Sequence, residues 1–278
     1  MIDSSCDFAT APWLDLPASA LGAAADIPTM LSMEEQKLYY WLAAHAVSGA
    51  GAFVDLGAFA GGSTARLAAG LTAAGLATAI HAYDRFTMAP HQQRKYLADC
   101  GLAPLEGRDS LPAVRRLLAP WGERIALHKC DIAAETWRDG PIELLVVDAA
   151  KSAELADVIA ERFMTALLPG GFLVQQDFLH APQPWLPAQM ELLAGHFEPV
   201  AHAAPTTMVF RCISPPVTPP RLSGRADEDI LGLVAAAAER YREWGLAGRI
   251  ENAAARLRRF PGARDARLLR GRPPRART

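Results

Sequence analysis

The chain has 278 residues, which predicts one large domain or two smaller ones. Its composition, 51% hydrophobic and 21% charged, is typical of a protein with a sizeable core and excludes a disordered chain. The formal net charge of −2 gives no general attraction for nucleic acid or for an acidic membrane. No apolar run approaches the ~18 residues of a transmembrane helix, and the acidic start does not resemble a signal peptide. We therefore expect a cytoplasmic protein without a membrane or nucleic-acid partner.

Residues 1–30 are apolar, aperiodic and interrupted by prolines, so we expect an N-terminal cover. In residues 31–212, Ser32 and Glu35 form a capping box that starts a helix, and strands and helices then alternate. This pattern of apolar strands predicts an α/β fold, a doubly wound seven-stranded mixed sheet with helices on both faces. A short Ala-Ala-Pro connection joins the last two strands into a hairpin, which makes the last strand antiparallel. The predicted strands are 52–56, 79–83, 124–128, 142–147, 172–176, 197–202 and 206–212.

The composition changes after the sheet. Four prolines make residues 213–226 a stiff linker, and residues 227–260 have a helical pattern that breaks near 245–248. Residues 261–278 are rich in arginine, and we expect a disordered, solvated tail. A basic arm that contacts RNA is the alternative, but no aromatic residues are interleaved for base stacking.

The segment VDLGAFAGGST, residues 54–64, has the pattern of a strand, a glycine turn and a helix. Gly57 permits a sharp turn after the strand, while Gly61 and Gly62 would let a ligand approach bare backbone. The N-terminus of the helix offers free N–H groups and the positive end of its dipole to an anion. The spacing G-x-x-x-G-G matches neither the dinucleotide fingerprint nor a P-loop. The turn alone leaves open an ordinary connection or an anion-binding site.

Acidic residues follow four of the five predicted parallel strands: Asp84, Asp131, Asp148 and Asp177. Because the carboxyl ends of parallel strands meet at one edge of the sheet, we expect these side chains to line one crevice. The carboxylate of Asp84 can accept hydrogen bonds from both hydroxyls of a ribose, and Asp131 could reach an adenine amino group. Their joint placement favours a nucleoside site over four separate helix caps.

Together with the segments VVDAAK and LLPGGFLVQQDF, these residues resemble the class I S-adenosylmethionine-dependent methyltransferases. They are most like small-molecule O-methyltransferases of the catechol, caffeoyl-CoA and macrocin type, over residues 30–212. The resemblance implies the strand order 3-2-1-4-5-7-6 and S-adenosylmethionine as the cofactor. It places the methionine part over residues 55–61, its carboxylate on Ser63, the ribose on Asp84 and the adenine on Asp131. The implied cofactor-binding residues are Asp55, Gly57, Ala58, Phe59, Gly61, Ser63, Asp84, Arg85, Asp131 and Asp148.

Methyl transfer to oxygen needs in-line placement and an unprotonated nucleophile, so we expect a general base. Relatives of the catechol type carry a D-x-x-K element after strand four, which Asp148 and Lys151 match, and Lys151 is therefore one candidate base. The other is His180, because a histidine near a carboxylate can act as a base near neutral pH. Asp177 would orient the reacting groups. The predicted catalytic residues are His180, Lys151 and Asp177.

The same relatives bind a divalent metal through Asp148 and two oxygen ligands after strand five. Here those positions read Gln176-Asp177-Phe178, so the third ligand would be an amide or would be lost. The metal pattern is incomplete. We therefore expect no metal, with Mg²⁺ as the alternative.

The sequence thus predicts the O-methylation of a small hydroxylated metabolite or natural product by in-line transfer with a general base. Two alternatives stay open. One is a protein that binds S-adenosylmethionine without transferring its methyl group. The other is a nicotinamide-dependent oxidoreductase, which the glycine spacing opposes. The sequence specifies neither the acceptor nor whether the chain forms a homodimer.

Overall fold

The computed structural model describes residues 7–98, 100–102 and 105–271. Seven strands and eight α-helices alternate along them. The strands are β1 (Ala52–Leu56), β2 (Ile80–Asp84), β3 (Ile125–Lys129), β4 (Ile142–Val147), β5 (Leu167–Gln175), β6 (Phe197–Ala203) and β7 (Thr207–Cys212). The helices are α1 (Met33–Trp41), α2 (Gly62–Ala73), α3 (Pro90–Tyr96), α4 (Leu111–Leu117), α5 (Ala153–Arg162), α6 (Trp185–Leu192), α7 (Asp227–Arg240) and α8 (Ala247–Arg259).

The strands form one sheet of order β3-β2-β1-β4-β5-β7-β6. β1 is parallel to β2 and to β4, and β2 is parallel to β3. β7 is antiparallel to both of its neighbours, β5 and β6. The predicted mixed sheet and its strand order are therefore confirmed. No helix within the described residues is both long and apolar enough to span a bilayer.

The contacts divide the chain into two units, the first ending at Val147 and the second beginning at Asp148. In the first unit, α1 begins with the predicted capping box. Ser32 Oγ accepts a hydrogen bond from the Glu35 amide, and the Glu35 side chain accepts one from the Ser32 amide.

β4 is buried throughout, and its buried Glu143 accepts three hydrogen bonds from Ser48 and Gly49. An apolar strand can hold this carboxylate because the backbone and hydroxyl donors replace the water that Glu143 loses on burial.

The second unit contains β5 to β7 and α5 to α8. The side chain of Ser152 caps α5 by accepting a hydrogen bond from the Leu155 amide. The buried Asp157 on that helix accepts hydrogen bonds from the amides of Leu222 and Ser223, which fastens the proline-rich segment to α5. α7 and α8 cover the predicted helical region and break near residue 245, as the sequence indicates.

The C-terminal residues differ from expectation. The sequence predicts a disordered tail from residue 261, but residues 261–271 pack against the second unit, with Leu269 completely buried. A short 3-10 turn spans Leu268–Arg270, and Asp265 forms a β-bridge with Ser152. The local sequence pattern does not reveal that this segment is ordered, because its contacts are made with residues far away in the sequence. Residues 1–6 of the predicted cover and 272–278 of the predicted tail lie outside the described residues. The predicted domain boundaries stay predictions.

Candidate active site

The turn between β1 and α2 has a backbone that only a few residues adopt readily. Gly57 and Gly61 have φ values of 105° and 87°, in the left-handed region that favours glycine. Phe59 lies between them and also has a positive φ, 49°. The Gly57 amide donates to the Tyr83 carbonyl at 2.8 Å, which ties the turn to the end of β2. The predicted strand–turn–helix is therefore present, and its geometry explains the two glycines.

Gly62 has a packing role that the sequence does not predict. A Cβ atom on this residue would lie 2.5 Å from Cβ of Thr29 and 2.6 Å from the carbonyl oxygen of Pro28. Gly62 thus allows the N-terminal segment to pack closely on α2. The expectation that its backbone amide is open to a ligand stays a prediction.

Asp55 is completely buried at the end of β1. Its Oδ2 accepts hydrogen bonds from Ser63 Oγ at 2.7 Å and Thr64 Oγ1 at 2.6 Å. Its Oδ1 is buried and has no donor among the described residues. Burial raises the pKa of the Asp55 carboxyl to about 6, against the lowering effect of the two hydroxyls. The buried acceptor fits a cationic donor such as the ammonium of a methionine moiety.

This arrangement changes the expectation for Ser63. The Ser63 hydroxyl donates its proton to Asp55, so that proton is not available to a ligand carboxylate. The first amides of α2 have no partner within the helix, and such amides are the ordinary binding site for an anion at a helix N-terminus. The methionine carboxylate thus fits those amides better than the Ser63 hydroxyl.

Asp84 fastens two strained residues at the end of β2. Its Oδ2 accepts a hydrogen bond from the Phe59 amide at 3.1 Å, and its Oδ1 accepts one from the Phe86 amide at 2.6 Å. Both phenylalanines have positive φ values, 49° and 47°, which are costly for residues with a Cβ atom. Burial raises the pKa of Asp84, while these two amides and Arg85 lower it. Each carboxylate oxygen keeps acceptor capacity, so the side chain fits the predicted ribose hydroxyls.

Asp131 is a weaker candidate. Its Oδ2 pairs with Arg85 at 2.8 Å and its Oδ1 accepts a hydrogen bond from the Ala133 amide at 3.1 Å. Both charged side chains are more than half exposed, so water competes for them. An adenine amino group would have to share Asp131 with Arg85. Both residues were predicted to bind the cofactor, and the structure places them together.

Lys151 joins two carboxylates of the second unit. Its Nζ donates to Asp148 Oδ1 at 2.6 Å and also to Asp177 Oδ2. Burial lowers the pKa of the Lys151 ammonium, but the two carboxylates outweigh burial and hold it above its usual value. For Asp177 the effects are reversed. Burial raises the pKa of its carboxyl, but the Lys151 ammonium outweighs burial and holds that pKa below its ordinary value. Lys151 is therefore a permanent cation in this arrangement, which makes it a poor general base.

His180 faces donors at both ring nitrogens. Its Nδ1 lies 3.1 Å from Gln183 Nε2 and 3.9 Å from Asp177 Oδ1, and its Nε2 lies 3.1 Å from Arg270 Nη2. A neutral imidazole has one donor and one acceptor nitrogen, so only one of the two contacts with donors is a hydrogen bond. Burial lowers the pKa of His180, Asp177 opposes this, and Arg270 and Lys151 lower it further. The ring is thus neutral near pH 7, as a general base requires.

Sequence reasoning missed two residues of this cluster. Gln183 donates to Asp177 Oδ2 at 2.5 Å, and Arg270 reaches His180 across 90 positions of the chain. The Gln183 amide lies only three residues after His180, so proximity could have suggested it. Nothing in the local sequence around Arg270 indicates its partner.

The residues of the alternative Mg²⁺ site are bound to other groups of the protein. Asp148 and Asp177 both bind the Lys151 ammonium, and Gln176 Oε1 accepts a hydrogen bond from Thr207 Oγ1 at 2.9 Å. The described residues contain no group of three histidines, cysteines or carboxylates that could hold a metal. A divalent cation would have to displace the lysine from both carboxylates and Thr207 from the amide.

Comparison with known proteins agrees with the strand order and the glycine turn. Residues 54–178 match the model of the methyltransferase domain family. These residues form a methyltransferase domain, and its methyl donor is S-adenosylmethionine. Among solved structures, the O-methyltransferase NovP superposes with a TM-score of 0.52 at 15% identity, covering 70% of this chain and 88% of NovP. The SAH-bound methyltransferase PaMTH1 of Podospora anserina has a TM-score of 0.46 at 14% identity, covering 76% and 97%. No curated protein sequence matches this methyltransferase.

Proposed function

We propose that this methyltransferase acts on a hydroxyl oxygen of a small organic acceptor, with His180 as the general base. The observation that carries the proposal is an imidazole 3.9 Å from the carboxylate of Asp177, whose position is fixed by Lys151 and Gln183. The O-methyltransferase NovP, which shares the fold, is consistent with this assignment.

S-adenosylmethionine supplies a methyl group on a sulfonium, which is already a strong electrophile. The first unit offers it the buried Asp55 oxygen, the free amides of α2 and the carboxylate of Asp84. In this proposal, the residues around His180 position the acceptor and remove its proton. A new bond forms between the methyl carbon and the acceptor oxygen as the bond from carbon to sulfur breaks.

The hydroxyl proton goes to Nε2 of His180 in this proposal. The catalytic form of the ring carries its proton on Nδ1, so that Nε2 has a lone pair and the Arg270 contact is a hydrogen bond. When Nε2 takes the second proton, the imidazolium lies with Nδ1 3.9 Å from the negative charge of Asp177. Lys151 holds Asp177 ionised, so this charge is in place before the reaction.

The test is turnover with a panel of hydroxylated small molecules, measured as formation of S-adenosylhomocysteine. We expect His180→Gln to lower kcat by about 10²- to 10⁴-fold, the usual contribution of a general base, with unchanged cofactor affinity. His196→Gln is the matched control, because His196 is a partly exposed histidine whose Nδ1 contacts the Ser214 carbonyl. Cofactor binding with no turnover on any member of the panel would favour a binding protein without transferase activity. Methylation of RNA by the full chain would instead favour a nucleic-acid substrate.

A further inference from the structure

The last described residues form a strap that runs against the Lys151 segment, and we call residues 263–271 the C-terminal strap. The Ala153 amide donates to the Arg264 carbonyl, and the Ala266 amide donates to the Lys151 carbonyl, both at 2.9 Å. These two hydrogen bonds flank the bridge between Ser152 and Asp265. The strap is therefore attached to the backbone that carries the predicted D-x-x-K element.

Packing and charge fix the strap in place. Ala263, Ala266 and Leu269 are buried along it. Arg264 pairs with Asp227 at 2.6 Å, at side-chain exposures of 15% and 19%, so this ion pair is well shielded from water. The Gly262 amide also donates to Asp227, at 2.7 Å. The strap therefore places Arg270 at one defined position beside His180.

The guanidinium of Arg270 keeps an uncompensated charge. Other arginines of the second unit, Arg221, Arg240 and Arg264, each pair with a carboxylate. Within the part of the chain that the structure describes, no carboxylate pairs with Arg270, and its partner is the neutral ring of His180. Lys151, by contrast, is shared between two carboxylates. Arg270 is thus the cation of this cluster that remains available to a ligand.

We propose that Arg270 binds a carboxylate on the methyl acceptor, so that the enzyme prefers hydroxylated organic acids. The guanidinium presents several donors in a planar fork, which matches the two oxygens of a carboxylate. When the carboxylate takes these donors, the guanidinium leaves Nε2 of His180. The lone pair of that nitrogen then faces the acceptor hydroxyl. This inference rests on the proposed role of His180 as the base.

The test uses protocatechuate, caffeate and salicylate with their methyl esters, which keep the hydroxyls and remove the charge. Binding to the full chain with S-adenosylhomocysteine present is measured by calorimetry, and methyl transfer is measured on the same pairs. The variants are Arg270→Gln and Arg270→Lys, with Arg242→Gln as the control, because Arg242 is an exposed arginine paired with Glu239. Thermal melting checks that each variant is folded.

We expect the wild-type protein to bind at least one acid about 10-fold or more tightly than its ester, the usual range for a hydrogen bond to a charged group. Arg270→Gln should abolish this preference, Arg270→Lys should keep part of it, and Arg242→Gln should keep all of it. An unchanged preference in Arg270→Gln, or no binding of any acid by the wild type, overturns the inference. Equal methylation of acids and esters also overturns it and leaves the proposed function standing. A preference for acids in binding with no methyl transfer leaves the inference standing and contradicts the proposed function.

Discussion

The glycine turn of the first unit and the Lys151–His180 cluster of the second are built in opposite ways. The turn uses residues close in sequence, since Asp55 is bonded by the hydroxyls of Ser63 and Thr64 at the start of the next helix. The cluster joins residues 148 to 183 with Arg270, which the C-terminal strap delivers. A local motif can therefore specify the proposed cofactor site, whereas the proposed acceptor site depends on contacts between residues far apart in sequence. Acceptor preference can change through the strap while the glycine turn stays the same.

The largest difference that this comparison predicts is between the two carboxylates assigned to the nucleoside. Asp84→Ala should weaken binding of S-adenosylhomocysteine by about 10- to 100-fold, because it removes a partly buried charged acceptor and releases two residues held at positive φ. Asp131→Ala should weaken it by less than about fivefold, because Asp131 is 52% exposed and paired with Arg85. Calorimetry measures the affinity of both variants for S-adenosylhomocysteine and shows which carboxylate contributes more. Equal losses would contradict the ranking.

A second prediction concerns pH and the buried Asp55. Its pKa of about 6 in the folded chain lies above the ordinary 3.8, so the cofactor-free protein loses stability as the pH rises between these values. The ammonium of the cofactor pairs only with the ionised form. Affinity for S-adenosylhomocysteine should therefore rise about 10-fold from pH 5 to pH 7, because about a tenth of the carboxyl is ionised at pH 5.

Asp55→Asn is the matched variant for this measurement, since the amide keeps the shape and loses the titration. Its affinity should be nearly flat over the same range. A wild-type profile that is already flat would mean that the ammonium does not bind at Asp55.

The sequence predicted the strands and the acidic residues that follow them, because apolar strands and glycine turns are local patterns, whereas the strand order came from the family resemblance. It also predicted that Lys151 lies near Asp148, since Lys151 follows three positions later in the D-x-x-K element. It did not predict that Lys151 would bind Asp177 as well, nor that the Ser63 hydroxyl would be used by Asp55. Those contacts depend on side-chain packing. The strap was misjudged because its arginines suggested a solvated tail, while its order comes from Leu269 and from backbone pairing with residues 151–153.

A third prediction tests whether the strap acts on the base. Burial and the positive charge of Arg270 lower the pKa of His180 in the free enzyme, so kcat/KM should rise with pH with a midpoint below the ordinary histidine value of 6.5. Arg270→Gln removes that charge, and the acidic limb of the kcat/KM profile should move to higher pH. Arg242→Gln should leave the limb in place. A limb that does not move in Arg270→Gln would mean that the titrating group in the profile is not His180.

The smallest expected effect is that of metal removal. Treatment with EDTA should leave kcat unchanged, and added Mg²⁺ should not raise it, because the Lys151 ammonium already binds Asp148 and Asp177. Lys151→Met makes this test sharper, since it leaves two carboxylates without their cation. In that variant Mg²⁺ could bind where the ammonium was, and weak binding should appear by calorimetry. If EDTA inactivated the wild-type enzyme and Mg²⁺ restored it, the cation would displace Lys151 in the working enzyme. The lysine would then be released toward the acceptor, and His180 would no longer be the favoured base.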